Sequence, residues 1–430
     1  MSKTKHQRGA VDATRRLFLK SSALFTAGAA LSVFPAARLF AAGSDKLKVG
    51  VIGCGGRGTG AAVDMLEAAP DAVEIWSLGD AFKDRLDGCR GHLKEEKDVV
   101  VADDRCFVGL DSFEKVIASG VDAVILATAP GFRPQHIEAA AKAKKHIFAE
   151  KPVATDPAGV RKVLEAARII DENGTSFVTG TQRRHQRNYL ECMSRIEDGA
   201  IGEFLGGSCY WHQGGLWVHR RKPEYSDLEW QCRNWLYFVW TSGDHIVEQH
   251  VHNIDVMNWA AGGPPAKAFG MGGRAVRTAP EYGNVFDHFY VEFEYKNGAR
   301  VHSSARQIDG CESRVEEFIQ GAKGRAHTSP SFAVIEGEKA WKFEGKNPNP
   351  YVLEHVDFIA AIRSGKRVNE AKRIAESTLT AIMGRMSAYT GKVVTWEQAL
   401  DSKLDLFPKK LAFGPNPIDA PAVPGRTPLE

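Results

Sequence analysis

The chain has 430 residues, long enough for two domains, and its 43% hydrophobic content is ordinary for a soluble globular protein. The formal charge of +3 comes from the first 43 residues, which carry seven Lys or Arg and one Asp. The remainder holds 49 basic and 52 acidic residues and has no basic footprint for nucleic acid, while seven cysteines with no C-x-x-C pair exclude a disulfide framework.

Residues 1–43 read as an export signal. Thr14-Arg15-Arg16-Leu17-Phe18-Leu19-Lys20 precedes the apolar, small-residue stretch Ser21–Pro35. This pattern resembles a twin-arginine signal, and its apolar core is too short and too rich in Ala and Gly for a membrane span. Cleavage is expected near Ala41-Ala42-Gly43, giving a periplasmic or other extracytoplasmic protein. The twin-arginine route carries proteins already folded.

Residues 45–172 alternate strand and helix as a doubly wound α/β sheet does. Lys48–Ile52 is a short, β-branched strand running into Gly53-x-Gly55-x-x-Gly58, and Thr59–Leu66 follows with helical character. Glycines at this spacing give a tight turn, backbone approach to a pyrophosphate, and close helix–strand packing. Gly56 and Arg57 complete the loop, and the helix N-terminus offers free N–H groups to phosphate. A second strand, Val73–Leu78, ends at Asp80, 22 residues beyond Gly58, near the distance expected for the acid that binds a ribose 2′-hydroxyl. A carboxylate there favours NAD over NADP, although Lys83 and Arg85 are near enough to reach a 2′-phosphate. Val99–Asp103 reads as a strand, Phe113–Ser119 as a helix and Val121–Ala127 as a buried strand. Thr128 and Pro130 stand at that strand's C-terminal end, where ligands bind, and His136–Ala143 is helical. The next strand, His146–Ala149, ends in Glu150-Lys151-Pro152, with Thr155 or Asp156 placed to cap the following helix.

The stretches GVIGCGGRG, LGD, ATAP and HIFAEKPVA together resemble the Gfo/Idh/MocA oxidoreductase family, which includes glucose–fructose oxidoreductase and inositol dehydrogenase. The resemblance continues through GTQRRHQRNY, GDHIVEQHVHNIDVMNW and MGRMSAYTGKVVTW, and so covers residues 45–400. It implies an N-terminal Rossmann domain that holds NAD, or alternatively NADP, through Gly53, Gly55, Gly56, Arg57, Gly58, Asp80, Thr128, Pro130, His136, Glu150 and Lys151. It also implies a C-terminal α+β domain, residues 173–400, with a largely antiparallel open sheet, and a homo-oligomer, dimer or tetramer.

Within that second part, Gly174–Gly180 reads as the opening strand, followed by a helix from Tyr189 to Asp198 and a long strand Ile201–His212. Gln213–Tyr237 is a loop rich in Trp, Arg and Gly. Strands at Ala268–Arg274, Asp287–Tyr295, Ala299–Ala305 and Arg314–Gln320 alternate in polarity, with an Asn297-Gly298 hairpin turn. Glu354–Arg363 and Ala371–Tyr389 are amphipathic helices. The Pro-rich tail, residues 401–430, is expected to be extended and to lie against a neighbouring subunit.

Two constellations carry chemistry. Lys151, at a strand end facing the crevice, can hydrogen-bond a substrate hydroxyl and stabilise developing alkoxide charge. In Asp244–Asp255, a helical spacing puts Glu248, His252 and Asp255 on one face. The family resemblance makes His252 the proton-transfer residue and places Glu248 where the family usually has an aspartate; Asp255 orients the helix. A metal reading of His245, Glu248, His250 and His252 fails on one helix, because His250 faces away from His252. Arg183, Arg184, His185, Trp211, Gln213 and Trp217 are candidates to line a sugar site, aromatic faces suiting the C–H side of a pyranose. The resulting reading is an NAD(P)-dependent oxidoreductase of a secondary hydroxyl on a sugar, glycoside or polyol. Two alternatives stand beside it: an NAD-dependent glycosidase working through transient oxidation, and a non-catalytic NAD-bound sugar-binding protein. The glycosidase relatives of this fold generally lack the lysine kept here as Lys151.

Overall fold

The structure, a computed structural model, describes residues 46–430; the export signal read at 1–43 lies outside them. Six strands, β1 (Leu47–Ile52), β2 (Val73–Asp80), β3 (Cys106–Val108), β4 (Ala123–Leu126), β5 (His146–Ala149) and β6 (Phe177–Thr179), form a parallel sheet in the order 3-2-1-4-5-6. The order reverses between β1 and β4, which opens a crevice at their C-terminal ends. The strands read as continuous apolar runs because both faces are covered, by helices α1 (Gly56–Ala68), α2 (Lys83–Lys97), α3 (Ser112–Ala118), α4 (Arg133–Lys142) and α5 (Pro157–Asn173). Asp156 caps α5, its Oδ1 accepting from the Gly159 N–H at 2.6 Å, with Pro157 in the first turn and Gly174 at φ 73° closing the far end.

The second sheet has nine strands: β7 (Phe204–Gln213), β8 (Lys267–Gly273), β9 (His288–Glu294), β10 (Arg300–Gln307), β11 (Arg314–Gly321), β12 (Gly324–Ser329), β13 (Phe332–Gly337), β14 (Trp341–Lys342) and β15 (Val393–Thr395). Their order is 14-13-12-11-7-10-9-8-15, antiparallel throughout except for the β7–β10 pair. The connecting helices are α6 (Arg187–Glu197), α7 (Asp227–Arg233), α8 (Val239–Ser242), α9 (His245–Glu248), α10 (Val251–Ala261), α11 (Pro350–Ser364), α12 (Ala371–Thr390) and α13 (Trp396–Asp401). Helices α10 and α12 pack on one face of the large sheet. The alternation along β8 leaves Phe269 and Met271 exposed on the other face, beside Tyr290 and Val393.

Several sequence expectations are corrected. Val99–Asp103 is not a strand: α2 ends at Asp98 in a left-handed conformation, Val100 is solvent-exposed, and β2 pairs instead with Cys106–Val108. Phe177–Thr179 does not open the second domain but completes the parallel sheet beside β5, so the domain boundary falls after it. The 213–237 segment contains α7, whose N-cap Ser226 accepts from the Glu229 N–H. Residues 244–255 are not one helix but two, α9 and α10, broken at Gln249-His250. The tail beyond Asp401 forms no helix or strand, in keeping with the extended reading, and it also packs on its own chain: Leu406, Phe407 and Leu411 meet Phe132 and Trp240, and the Leu406 N–H donates to Asp156 Oδ2 at 2.9 Å.

Burial holds five histidines neutral: His136, His245, His250, His252 and His355 all lie below their ordinary value of 6.5, with desolvation the largest cause in each. In the unfolded chain they take up protons as pH falls below 6.5, whereas in the native state they resist, His136 and His245 down to about 3. Their native stabilisation is therefore complete above pH 6.5 and lost progressively below it, each group adding up to about 1.4 kcal/mol per pH unit. Chemical denaturation between pH 7.5 and 5 should show stability falling steeply below 6.5, and a flat profile across that range would contradict the burial described.

Candidate active site

The crevice between β1 and β4 holds a cleft of about 540 Å³ lined by Gly53, Gly55, Gly56, Arg57, Asp80, Thr128 and His136 on the Rossmann side. The glycines divide the work. Gly53 sits at φ 94°, and a Cβ there would meet the Thr128 nitrogen at 2.6 Å. A Cβ on Gly58 would stand 1.8 Å from the Gly53 carbonyl oxygen, so this residue serves helix–strand packing and does not line the cleft. Gly55 and Gly56 would put a Cβ into open space, and they therefore leave room for a ligand against bare backbone. Asp80 anchors the loop: its Oδ2 accepts from the Cys54 N–H at 2.7 Å and its Oδ1 from the Phe82 N–H at 2.8 Å. Bare glycine backbone at a helix N-terminus, with a carboxylate at the end of β2, fits the pyrophosphate and adenosine ribose of a nicotinamide dinucleotide.

Two residues expected at the cofactor, Glu150 and Pro130, stand behind this wall, and a third, His136, is largely enclosed at its edge. Glu150 is buried and pairs with Arg57, its Oε1 2.9 Å from Arg57 Nε, so it acts on the cleft through that guanidinium. Pro130 is buried at the start of a 3₁₀ turn. His136 lines the cleft yet is largely enclosed, its Nδ1 3.2 Å from Thr128 Oγ1 and its ring 4.3 Å from Phe113.

The reacting groups converge at the seam between the sheets. Lys151 follows β5, the neighbour of β4, whose end lines the cleft. Its side chain is about a tenth exposed, and its ammonium donates to the Glu248 carbonyl at 2.6 Å, with Glu248 Oε1 at 3.3 Å. The break after α9 turns both the Glu248 carbonyl and its side chain to this contact, which an unbroken helix would not permit. His252, in the first turn of α10, stacks on Trp211 with centroids 5.6 Å apart and planes 22° from parallel. Burial, then the charges of Lys151 and Arg183, keep His252 neutral well below 6.5. His252 Nδ1 and Glu248 Oε2 are buried with no hydrogen-bond partner. Buried polar atoms without a partner carry a desolvation cost, and these two are candidates for hydrogen bonds to a polar ligand.

The remaining candidates sort differently from the sequence expectation. Arg184 is held by Asp255, Nε to Oδ2 at 2.7 Å, and lies over the Trp259 ring. His185 is likewise committed, its Nδ1 2.5 Å from Asp357 Oδ2. Asp255 accepts from Arg184, Arg373 and Ser377, and those guanidinium groups hold it below the usual carboxylate range against the opposing effect of burial. Arg183 pairs with the fully buried Glu317 and lies 5.6 Å from the Trp211 ring. Trp211, bonded through Nε1 to Gln213 Oε1, spends one face on His252 and so orients the histidine. Trp217 lines the dinucleotide cleft with Trp235. The other histidines diverge, His250 to Ser303 Oγ at 2.7 Å and His245 towards the Trp211 carbonyl; among the described residues no cluster of His, Cys, Asp or Glu is arranged to hold a metal ion.

Sequence reasoning missed Phe82, Arg233 and His219, all at the cleft. Phe82 follows the ribose acid by two residues and was within reach of the motif. Arg233 and His219 arrive from the second domain, and no local pattern announces them.

Comparison with known proteins bears on the family and the fold. The family model for an oxidoreductase family with an NAD-binding Rossmann fold, GFO_IDH_MocA, matches residues 47–173, and the GFO/IDH/MocA C-terminal domain matches residues 189–327. Myo-inositol 2-dehydrogenase of Thermotoga maritima is 27% identical over 332 residues, covering 74% of this chain and 89% of that protein. Levoglucosan dehydrogenase, solved in complex with NADH and levoglucosan, shares the fold with a TM-score of 0.65 at 18% identity, over 82% of this chain and 99% of that one. Aldose-aldose oxidoreductase from Caulobacter crescentus, complexed with glycerol, does so with a TM-score of 0.64 at 17% identity, over 82% and 100%. Fold and site define a two-domain oxidoreductase with an NAD-binding Rossmann domain. The chain belongs to the Gfo/Idh/MocA family.

Lys151→Ala should lower turnover about 10²–10³-fold while dinucleotide binding, followed by fluorescence, persists; near-normal turnover would remove Lys151 from the chemistry. His252→Asn should flatten the acid limb of the pH–rate profile for alcohol oxidation, a limb that lies below pH 6.5 because burial lowers this histidine. Activity lost to a chelator and restored by a divalent ion would instead contradict the proton-transfer assignment.

Proposed function

We propose that the protein is an exported, NAD-dependent oxidoreductase acting on a secondary hydroxyl of a sugar, glycoside or polyol, and that it keeps its cofactor through successive turnovers. The observation that carries this reading is the pair of orphaned atoms, His252 Nδ1 and Glu248 Oε2, beside the Lys151 ammonium. The nicotinamide cofactor, when bound, supplies the hydride acceptor or donor.

The chain's own groups manage the proton and the charge. Neutral His252 accepts the hydroxyl proton as the C–H bond breaks, with Trp211 fixing its ring plane. Lys151 directs N–H bonds to the Glu248 carbonyl and carboxylate, which leaves a further N–H for the substrate oxygen as charge develops on it. Glu248 fixes that ammonium and offers Oε2 to a neighbouring hydroxyl. Asp80, lining the cleft, disfavours a 2′-phosphate and supports NAD over NADP. Of the two cations the sequence places nearby, Lys83 is engaged by Asp87 at 2.5 Å, while Arg85 lines the cleft.

Arg15-Arg16 and the apolar stretch after them support export in the folded state. No pool of free NAD is maintained outside the cytoplasm, so a cofactor carried out with the protein has to remain bound. Each hydride taken from one substrate then returns to another, or to the same one, in a redox-neutral cycle. The exposed Phe269, Met271, Tyr290 and Val393 on the large sheet are the surface we assign to homo-oligomerisation.

The purified mature protein is expected to carry nicotinamide absorbance that survives dialysis. Its bound cofactor should change redox state on addition of a member of a panel of inositols, aldoses and anhydrosugars. A protein that emerges empty and turns over only with millimolar free NAD would overturn the closed cycle.

A further inference from the structure

The loop after Asp80 flanks the adenosine end of the dinucleotide cleft, because Asp80 stands where the ribose hydroxyls bind. Four contacts cross from this loop and the first turn of α2 to the rest of the chain. Phe82 stacks on Phe413 of the tail, with centroids 5.6 Å apart. The Arg233 guanidinium lies 3.9 Å from the Phe82 ring and pairs with Asp84 at 3.1 Å. Arg85 Nη2 is 3.4 Å from His219 Nε2. Phe82, Arg85, His219 and Arg233 all line the cleft.

The far side of this bridge is itself braced. The Leu228 N–H donates to the Gly414 carbonyl at 3.2 Å, and Gln231 and Asn416 exchange hydrogen bonds at 2.7 Å. Helix α7 and the tail around residues 413–416 therefore form one unit. Arg233 is pinned within it by Glu229 at 3.0 Å and is only 16% exposed. Any one exposed ion pair contributes little, but these contacts share one short segment and hold it from two directions.

We infer that α7 and the 413–416 tail form a clasp on the adenosine half of the cofactor site, and that release of the dinucleotide requires this clasp to part from Phe82 and the first turn of α2. The clasp is built from the same chain: Arg233 lines the cleft, Trp230 of α7 holds His219 there by donating to its carbonyl at 2.8 Å, and Phe413 bears on the site through Phe82. The inference rests on the reading of the cleft as a nicotinamide dinucleotide site and supplies the slow dissociation that a retained cofactor demands.

The test uses the full mature chain loaded with NADH, chased with excess NAD, and release followed by loss of protein-bound nicotinamide fluorescence. Arg233→Ala and Phe413→Ala should each raise the off-rate about tenfold or more, and the double variant should not exceed the larger single effect by much, since both open one clasp. Phe413 is 45% exposed, so its truncation leaves the core intact, and an unchanged thermal transition confirms folding. Off-rates equal to wild type in both variants would overturn the clasp while leaving the dinucleotide site standing. Wild-type protein that binds no NADH would overturn the site reading and the clasp together.

Discussion

A lysine side chain that is nine-tenths buried has to find partners for its ammonium inside the protein, and Lys151 finds them on the other domain. Its bonds to the Glu248 carbonyl and carboxylate span 97 positions of sequence and join the end of the parallel sheet to the broken helix beside the large sheet. An unpaired buried ammonium costs several kcal/mol, so the two domains are held in the register that makes this contact. The same register brings His252 and Trp211 to the lysine and opens the cleft along β1 and β4.

Around that contact the chain places braces that take no part in chemistry. The fully buried Arg385 donates from Nη1 to the Thr155 carbonyl at 2.8 Å, just after the Lys151 turn, and to the Gly243 carbonyl at 2.9 Å, just before α9. Asp244, at φ 74°, accepts from the His245 and Phe286 N–H groups and from the Tyr389 hydroxyl, which fixes the start of α9. On the Rossmann side, Asp156 serves twice, capping α5 and holding the tail at Leu406. Helix α11 returns to the first domain, where Phe358 and Ile359 join the core around Phe148 and Val178. The two domains are thus interleaved along the sequence.

What could be read from the sequence was local or carried by a motif. The strand–glycine–helix unit and the cap at Asp156 follow from spacing and residue type, and both stand in the structure. Readings that depended on distant partners fared less well. The run Val99-Val100-Val101 has strand composition, but β2 had a better partner in Cys106–Val108. Phe177–Thr179 carries no mark of which sheet it joins, because pairing with β5 is decided by topology. The partners of Arg184 and His185, Asp255 and Asp357, stand 71 and 172 positions away and could not be read locally. The break at Gln249-His250 was hidden because every residue from His245 to Asp255 is compatible with one helix. That break decides the site, since it aims the Glu248 carbonyl at Lys151.

On the function proposed above, Lys151, Glu248 and His252 form a site where a carbon-bound hydrogen of a polyol is exchanged with a nicotinamide held in the neighbouring cleft. Mass spectrometry of the cofactor released by denaturation, after incubating the loaded protein with a carbon-deuterated substrate, tests this directly. The account predicts one deuterium on the nicotinamide ring with the wild type and a strongly reduced amount with Lys151→Ala. A cofactor that has become reduced on the ring yet carries no deuterium would contradict it.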